Sequence, residues 1–140
     1  MTTIAAASLA VMAIPTSLSA PAQAAATKTI KMSCTDKTKS YKAYVLLEGS
    51  GAPKAKYRVV FKVTDLINDG RAPKLRLQSY NQDGSFTSYK WRTGRQGRNV
   101  ITNFPESTLQ QPKGLHTVYL KGSTTESGTT YFDCGDYAPK

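Results

Sequence analysis

The stretch Tyr89–Arg98 reads YKWRTGRQGR and holds four cations, two aromatic rings, two glycines and no acid. Lys90, Arg92, Arg95 and Arg98 could meet a negative group. Arginine offers a planar fork of donors that matches phosphate, sulfate or carboxylate in a bidentate way. Gly94 and Gly97 would let the backbone come close to a ligand. The chemistry on offer is anion binding.

Other constellations are weaker. The single histidine, His116, would need a carboxylate and an arginine to serve a small secreted nuclease. Glu48, Glu106 and Glu126 are the carboxylates in question, and no spacing ties any of them to His116. In GLHTVYL a strand would put His116 on the same face as Val118 and Leu120, which reads as a core or edge histidine. Asn81-x-Asp83-Gly84 has part of a calcium-loop pattern, but Ser79 stands at its first position and Lys90 at its twelfth, where Glu is required. Two cysteines and one histidine cannot close a zinc site. GRQG lacks the strand-to-helix context of a phosphate loop. The expectation is a protein without catalysis, metal or cofactor.

The elements that must position these residues are strands. After Ala26 the periodicity is close to two, and Tyr, Val and Thr alternate with Gly, Pro, Asn and Asp. Strands are expected at Thr27–Thr35, Tyr41–Glu48, Ala55–Thr64, Lys74–Asn81, Ser85–Trp91, Arg98–Thr102, Leu115–Lys121 and Thr129–Cys134. Asp65–Pro73 reads as a connection with a helical turn ended by Gly70, and Asn103–Gly114 as a long loop with a turn after Pro105. Gly122–Gly128 reads as an exposed turn. Seven or eight short strands give an all-β chain, a small antiparallel β-sandwich or partly open barrel.

The hairpin YNQDGSF is the most informative segment. A three-residue loop, Gln82-Asp83-Gly84, suits a type I turn with Gly84 left-handed. It pairs Tyr80 with Phe86, Gln78 with Ser88 and Leu77 with Tyr89, then Arg76 with Lys90, Leu75 with Trp91 and Lys74 with Arg92. Leu75, Leu77, Tyr89 and Trp91 form a core face. The opposite face carries Lys74, Arg76, Lys90 and Arg92, with the rings of Tyr80 and Phe86 at its far end. Cations beside exposed rings suit a polyanion or a stacked ring. A neighbouring third strand would add Lys54, Lys56, Arg58 and Lys62. A solvated basic face that resists edge pairing would carry the same residues.

The chain ends bear on compartment. Met1–Ala26 has no charged residue, and Ile4–Ile14 is an apolar run of signal-peptide length. Ala22-Gln23-Ala24 is a small-x-small signature, so cleavage is expected after Ala24, leaving one domain, 25–140. No Lys or Arg precedes the apolar run, so the leader is expected to start upstream of Met1 or the numbering to begin inside it. An exported chain with two cysteines, Cys34 and Cys134, is expected to join them. The formal net charge of +10 favours anionic partners. The expected protein is small, secreted and non-catalytic, binding an anionic polymer, a carbohydrate surface or an acidic protein. Its site would be Lys74, Arg76, Tyr80, Phe86, Lys90, Arg92, Arg95 and Arg98. The alternatives are a secreted inhibitor or toxin-like module acting through Asn103–Gly114, and the nuclease.

Overall fold

A computed structural model of the protein describes residues 26–126 and 129–139, with side chains as far as Thr124. The expected leader and its cleavage point lie outside the described residues. Ten strands and no helix are present among them: β1 (Lys28–Thr35), β2 (Tyr41–Gly49), β3 (Lys56–Asp65), β4 (Ala72–Asn81), β5 (Phe86–Ser88), β6 (Arg92–Thr93), β7 (Val100–Asn103), β8 (Ser107–Gln110), β9 (Leu115–Glu126) and β10 (Thr129–Pro139).

The strands form two antiparallel sheets. Sheet A runs β1-β2-β3, and both β7 and β8 pair with the free edge of β3. Sheet B runs β10-β9-β4, and both β5 and β6 pair with the free edge of β4. At one side β1 lies against β10. At the other side each sheet ends in an edge strand broken into two pieces.

Alternation builds the core. Across sheet A, Met32, Val45 and Phe61 make one row, and Ile30, Leu47 and Val59 the next. Leu75, Leu77, Val118 and Leu120 of sheet B face them. These side chains are at most 6 % exposed, and burying each is worth about 1.5–3 kcal/mol relative to leaving it in water. The β1–β2 turn is built on Asp36. Its carboxylate accepts hydrogen bonds from the Thr38 and Ser40 amides and hydroxyls and from the Tyr41 amide. Burial alone would raise its pKa, but those bonds together lower it below 3.8.

Three connections differ from expectation. Residues 66–71 form no helical turn, because Asp65 and Asp69 accept from the Ile67 and Arg71 amides and hold tight turns instead. The expected loop after Pro105 contains β8, whose Leu109 side chain joins the core while its backbone pairs with Lys56–Val59. The expected turn at Gly122–Gly128 is mostly strand. β9 continues to Glu126 beside β4, with Gly122, Ser123 and Thr124 buried, and residues 127–128 lie outside the described residues. Cys34 is buried on the core side of β1, and the Cys134 side chain it was expected to meet also lies outside them.

Candidate functional site

The YNQDGSF turn has the expected form. The Asn81 amide donates to the Ser85 carbonyl at 2.9 Å, the Gly84 amide donates to the Asn81 carbonyl at 3.0 Å, and Gly84 has φ +82°. Asp83 accepts from the Ser85 hydroxyl at 2.6 Å and amide at 3.0 Å, and pairs with Lys113 at 3.2 Å. These contacts, the Ser85 hydroxyl foremost, hold its pKa down to about 2. Gln78 pairs with Ser88, Tyr80 with Phe86, and the Tyr89 amide donates to the Leu77 carbonyl at 3.0 Å.

Beyond Tyr89 the expected register fails by one residue. Leu75 pairs with Arg92 and Lys74 with Thr93. Lys90 and Trp91 together span the single residue Arg76, which makes a bulge. The strict register would have put Trp91 beneath Leu75 and two like-charge pairs on the open face. The bulge exchanges them. Trp91 leaves the core for the open face, where Arg76 Cζ lies 4.6 Å and Lys74 Nζ 5.4 Å from its ring centroid. Arg92 leaves the open face for the inner side, with its guanidinium 4.5 Å from the Phe61 centroid and 5.9 Å from that of Phe104.

Strand β9 completes the open face of sheet B. Lys121 lies across from Arg76 and Tyr119 across from Gln78. A second bulge separates the pairs Tyr80–Thr117 and Asn81–Leu115. It turns His116 away from the expected Val118 and Leu120 face to stand edge-on to Tyr80, centroids 5.7 Å apart. Phe86 and Tyr119 meet at 6.0 Å. Phe86 is 55 % and Tyr80 40 % exposed. Lys74, Arg76, Tyr80 and Phe86 are thus together on this face, although Lys74 is buried at 9 % exposure. Trp91, His116, Tyr119 and Lys121 belong with them and were missed. In LHTVYLKG, Tyr119 and Lys121 alternate with Val118 and Leu120, so their orientation was readable, but the pairing of β9 with β4 was not.

The remaining expected site residues lie elsewhere. Lys90 and Arg92 line a cleft between the broken edges of the sheets. Arg95 and Arg98 are exposed on the loop that crosses from β6 to β7. That loop is fastened through its backbone amides. The Gly94 amide donates to the Pro73 carbonyl at 2.7 Å, the Arg95 amide to Thr102 Oγ1 at 2.8 Å, and the Gly97 amide to Asp65 Oδ2 at 2.7 Å. Its Gly97 amide is therefore committed to a carboxylate of the protein itself. Lys56, Arg58 and Lys62 sit on β3 in the other sheet and do not extend this face. Arg58 holds Glu48 at 2.7 Å and Glu106 at 2.6 Å, so two of the three candidate carboxylate partners for His116 are engaged by an arginine of sheet A. The Glu126 side chain lies outside the described residues.

Among the described residues no three potential ligands cluster to hold a metal, and no helix is long and apolar enough to cross a membrane. Comparison with known protein families and with curated proteins finds no match.

Proposed function

We propose that this protein is a secreted, non-catalytic binding module whose open face of sheet B takes an anionic, ring-containing polymer, with an acidic polysaccharide as the best fit. The observation that carries this reading is the pair of rings, Phe86 and Tyr80, exposed at the turn end of the β4–β5 edge hairpin and flanked by Tyr119 and His116. Exposed rings of this kind suit stacking on sugar or base faces. The Arg76–Lys121 end of the same face supplies positive charge. Arg76 and Tyr80 are four residues apart on one strand, a span of about 13 Å. A ligand that uses both ends must carry its negative group a few sugar rings from the stacked one.

The expected residues Lys74, Arg76, Tyr80 and Phe86 are retained for this site, joined by Trp91, Tyr119 and Lys121. The inhibitor-like alternative loses support, because the Asn103–Gly114 segment it relied on is partly a strand paired to β3. The Cys34–Cys134 bridge remains part of the proposal. It is supported by the burial of Cys34, by the packing of β1 on β10, and by the lack of a free thiol among the described residues.

Binding of the full chain to an acidic polysaccharide, a neutral polysaccharide and single-stranded nucleic acid separates the possibilities. Removing the rings with Tyr80→Ser/Phe86→Ser is expected to weaken acidic polysaccharide binding at least tenfold, by analogy with the roughly 1–3 kcal/mol that each base stacked on an aromatic side chain contributes. Unchanged binding by the folded double variant would refute the reading.

A further inference from the structure

The two broken edges face each other and leave a cleft of about 190 Å³ between the sheets. Its walls include Val59 and Phe61 from β3, Leu77 from β4 and Leu109 from β8. Lys90 and Arg92 also line it, and no carboxylate does among the described residues. We propose that this cleft is a second binding site, for a small aryl carboxylate.

Size selects the ligand body. An apolar cavity of about 150 Å³ is enough for a benzene ring, while drug-sized ligands need roughly 300 Å³ or more. The cleft therefore holds one ring and a short substituent. Its walls offer aliphatic and aromatic contact, and an organic ring there replaces water against Leu77, Val59 and Leu109. The two cations select the substituent. Arg92 is fixed by its stack on Phe61 and Phe104, so its donor fork is oriented before any ligand arrives. Lys90 is exposed and free to close on the same anion. A neutral ligand would use the walls and leave both charges unanswered. The same two bulge-flanking residues that depart from the open face of sheet B thus make a separate site, and this inference does not rest on polymer binding at that face.

The test is a methyl-resolved NMR titration of the full chain with phenylacetate and with its neutral isostere phenylacetamide. Phenylacetate is expected to shift the Val59, Leu77 and Leu109 methyls saturably, with a Kd of about 1 mM or tighter for a ligand of this size. Phenylacetamide is expected to bind about tenfold more weakly, because it forfeits the charge-assisted contact. Lys90→Gln, at an exposed position, is expected to reduce phenylacetate affinity several-fold and leave phenylacetamide affinity unchanged. Arg92→Lys keeps the charge and loses the fork, and should also weaken phenylacetate binding. Equal affinity for acid and amide would overturn the proposal. So would saturable shifts that spare the Val59, Leu77 and Leu109 methyls, or no saturation by roughly 20 mM, well beyond the affinity such a site supplies.

Discussion

Asn81 has no exposed surface, and it uses both ends of its side-chain amide. Its Nδ2 donates to Ser85 Oγ at 3.1 Å and Thr87 Oγ1 at 2.9 Å, and its Oδ1 accepts from Ser79 Oγ at 2.9 Å. Gln111 reaches the same Thr87 hydroxyl at 3.1 Å, which ties β5 to the segment after β8. Asn81→Ala removes all three of these side-chain hydrogen bonds, one of them to the fully buried Ser79 hydroxyl, and is expected to cost about 2–3 kcal/mol in urea unfolding. The sequence reading took Asn81 as a residue flanking a turn, because a network across three segments leaves no local pattern. A second prediction at this scale concerns Asp36. Its folded-state pKa is lowered, so the folded protein binds fewer protons than the unfolded chain near that pH. The stability it supplies is fully present above its ordinary value of 3.8 and is lost as pH falls through the lower folded value. Urea midpoints measured downward from pH 5 should fall more steeply for wild type than for Asp36→Asn.

Bulges decide where the chemistry goes at the scale of elements. The first half of the β4–β5 hairpin was legible, because Gln82-Asp83-Gly84 fixes one turn and the alternation of Leu75 and Leu77 fixes its face. The slip after Tyr89 was not legible, because its cause lies in the other sheet, where Phe61 and Phe104 receive the Arg92 guanidinium. His116 was misplaced for a similar reason, since strict alternation has no room for the extra residue beside Tyr80. The crossing to sheet A depends on Gly94. A Cβ there would overlap Val63 Cγ1 and press on the Pro73 carbonyl and Thr102 Oγ1 at 3.3 Å. Gly94→Ala is expected to cost about 1–3 kcal/mol, read as a lower urea midpoint. Trp91 is the single tryptophan of the chain and lies on the open face with Arg76. Its fluorescence should change on adding acidic polysaccharide, and a flat titration would place the ligand elsewhere.

For the whole molecule, the all-β class and most of the expected strands were legible from period-two alternation and turn residues, while the expected strand Ser85–Trp91 is one only over Phe86–Ser88. The order of strands was not. Composition shows a net charge of +10 but not that β3 and β4 lie in different sheets, which divides the cations between two faces. The proposed bridge between Cys34 and Cys134 would close a loop of about 100 residues and contribute up to roughly 4–5 kcal/mol in the chain-entropy account. Reduction should therefore lower the melting temperature markedly, and an unchanged melting curve with titratable thiols before reduction would show that the bridge does not form. Charge alone would make this protein stick to any polyanion, whereas the proposed site confines binding to the open face of sheet B. The most direct test is salt-gradient elution from heparin, comparing wild type with Arg76→Ser/Lys121→Ser and with Arg95→Ser/Arg98→Ser. Both variants remove two positive charges. The open-face account predicts a much earlier elution for Arg76→Ser/Lys121→Ser and a small change for Arg95→Ser/Arg98→Ser. Equal shifts in the two folded variants would contradict it.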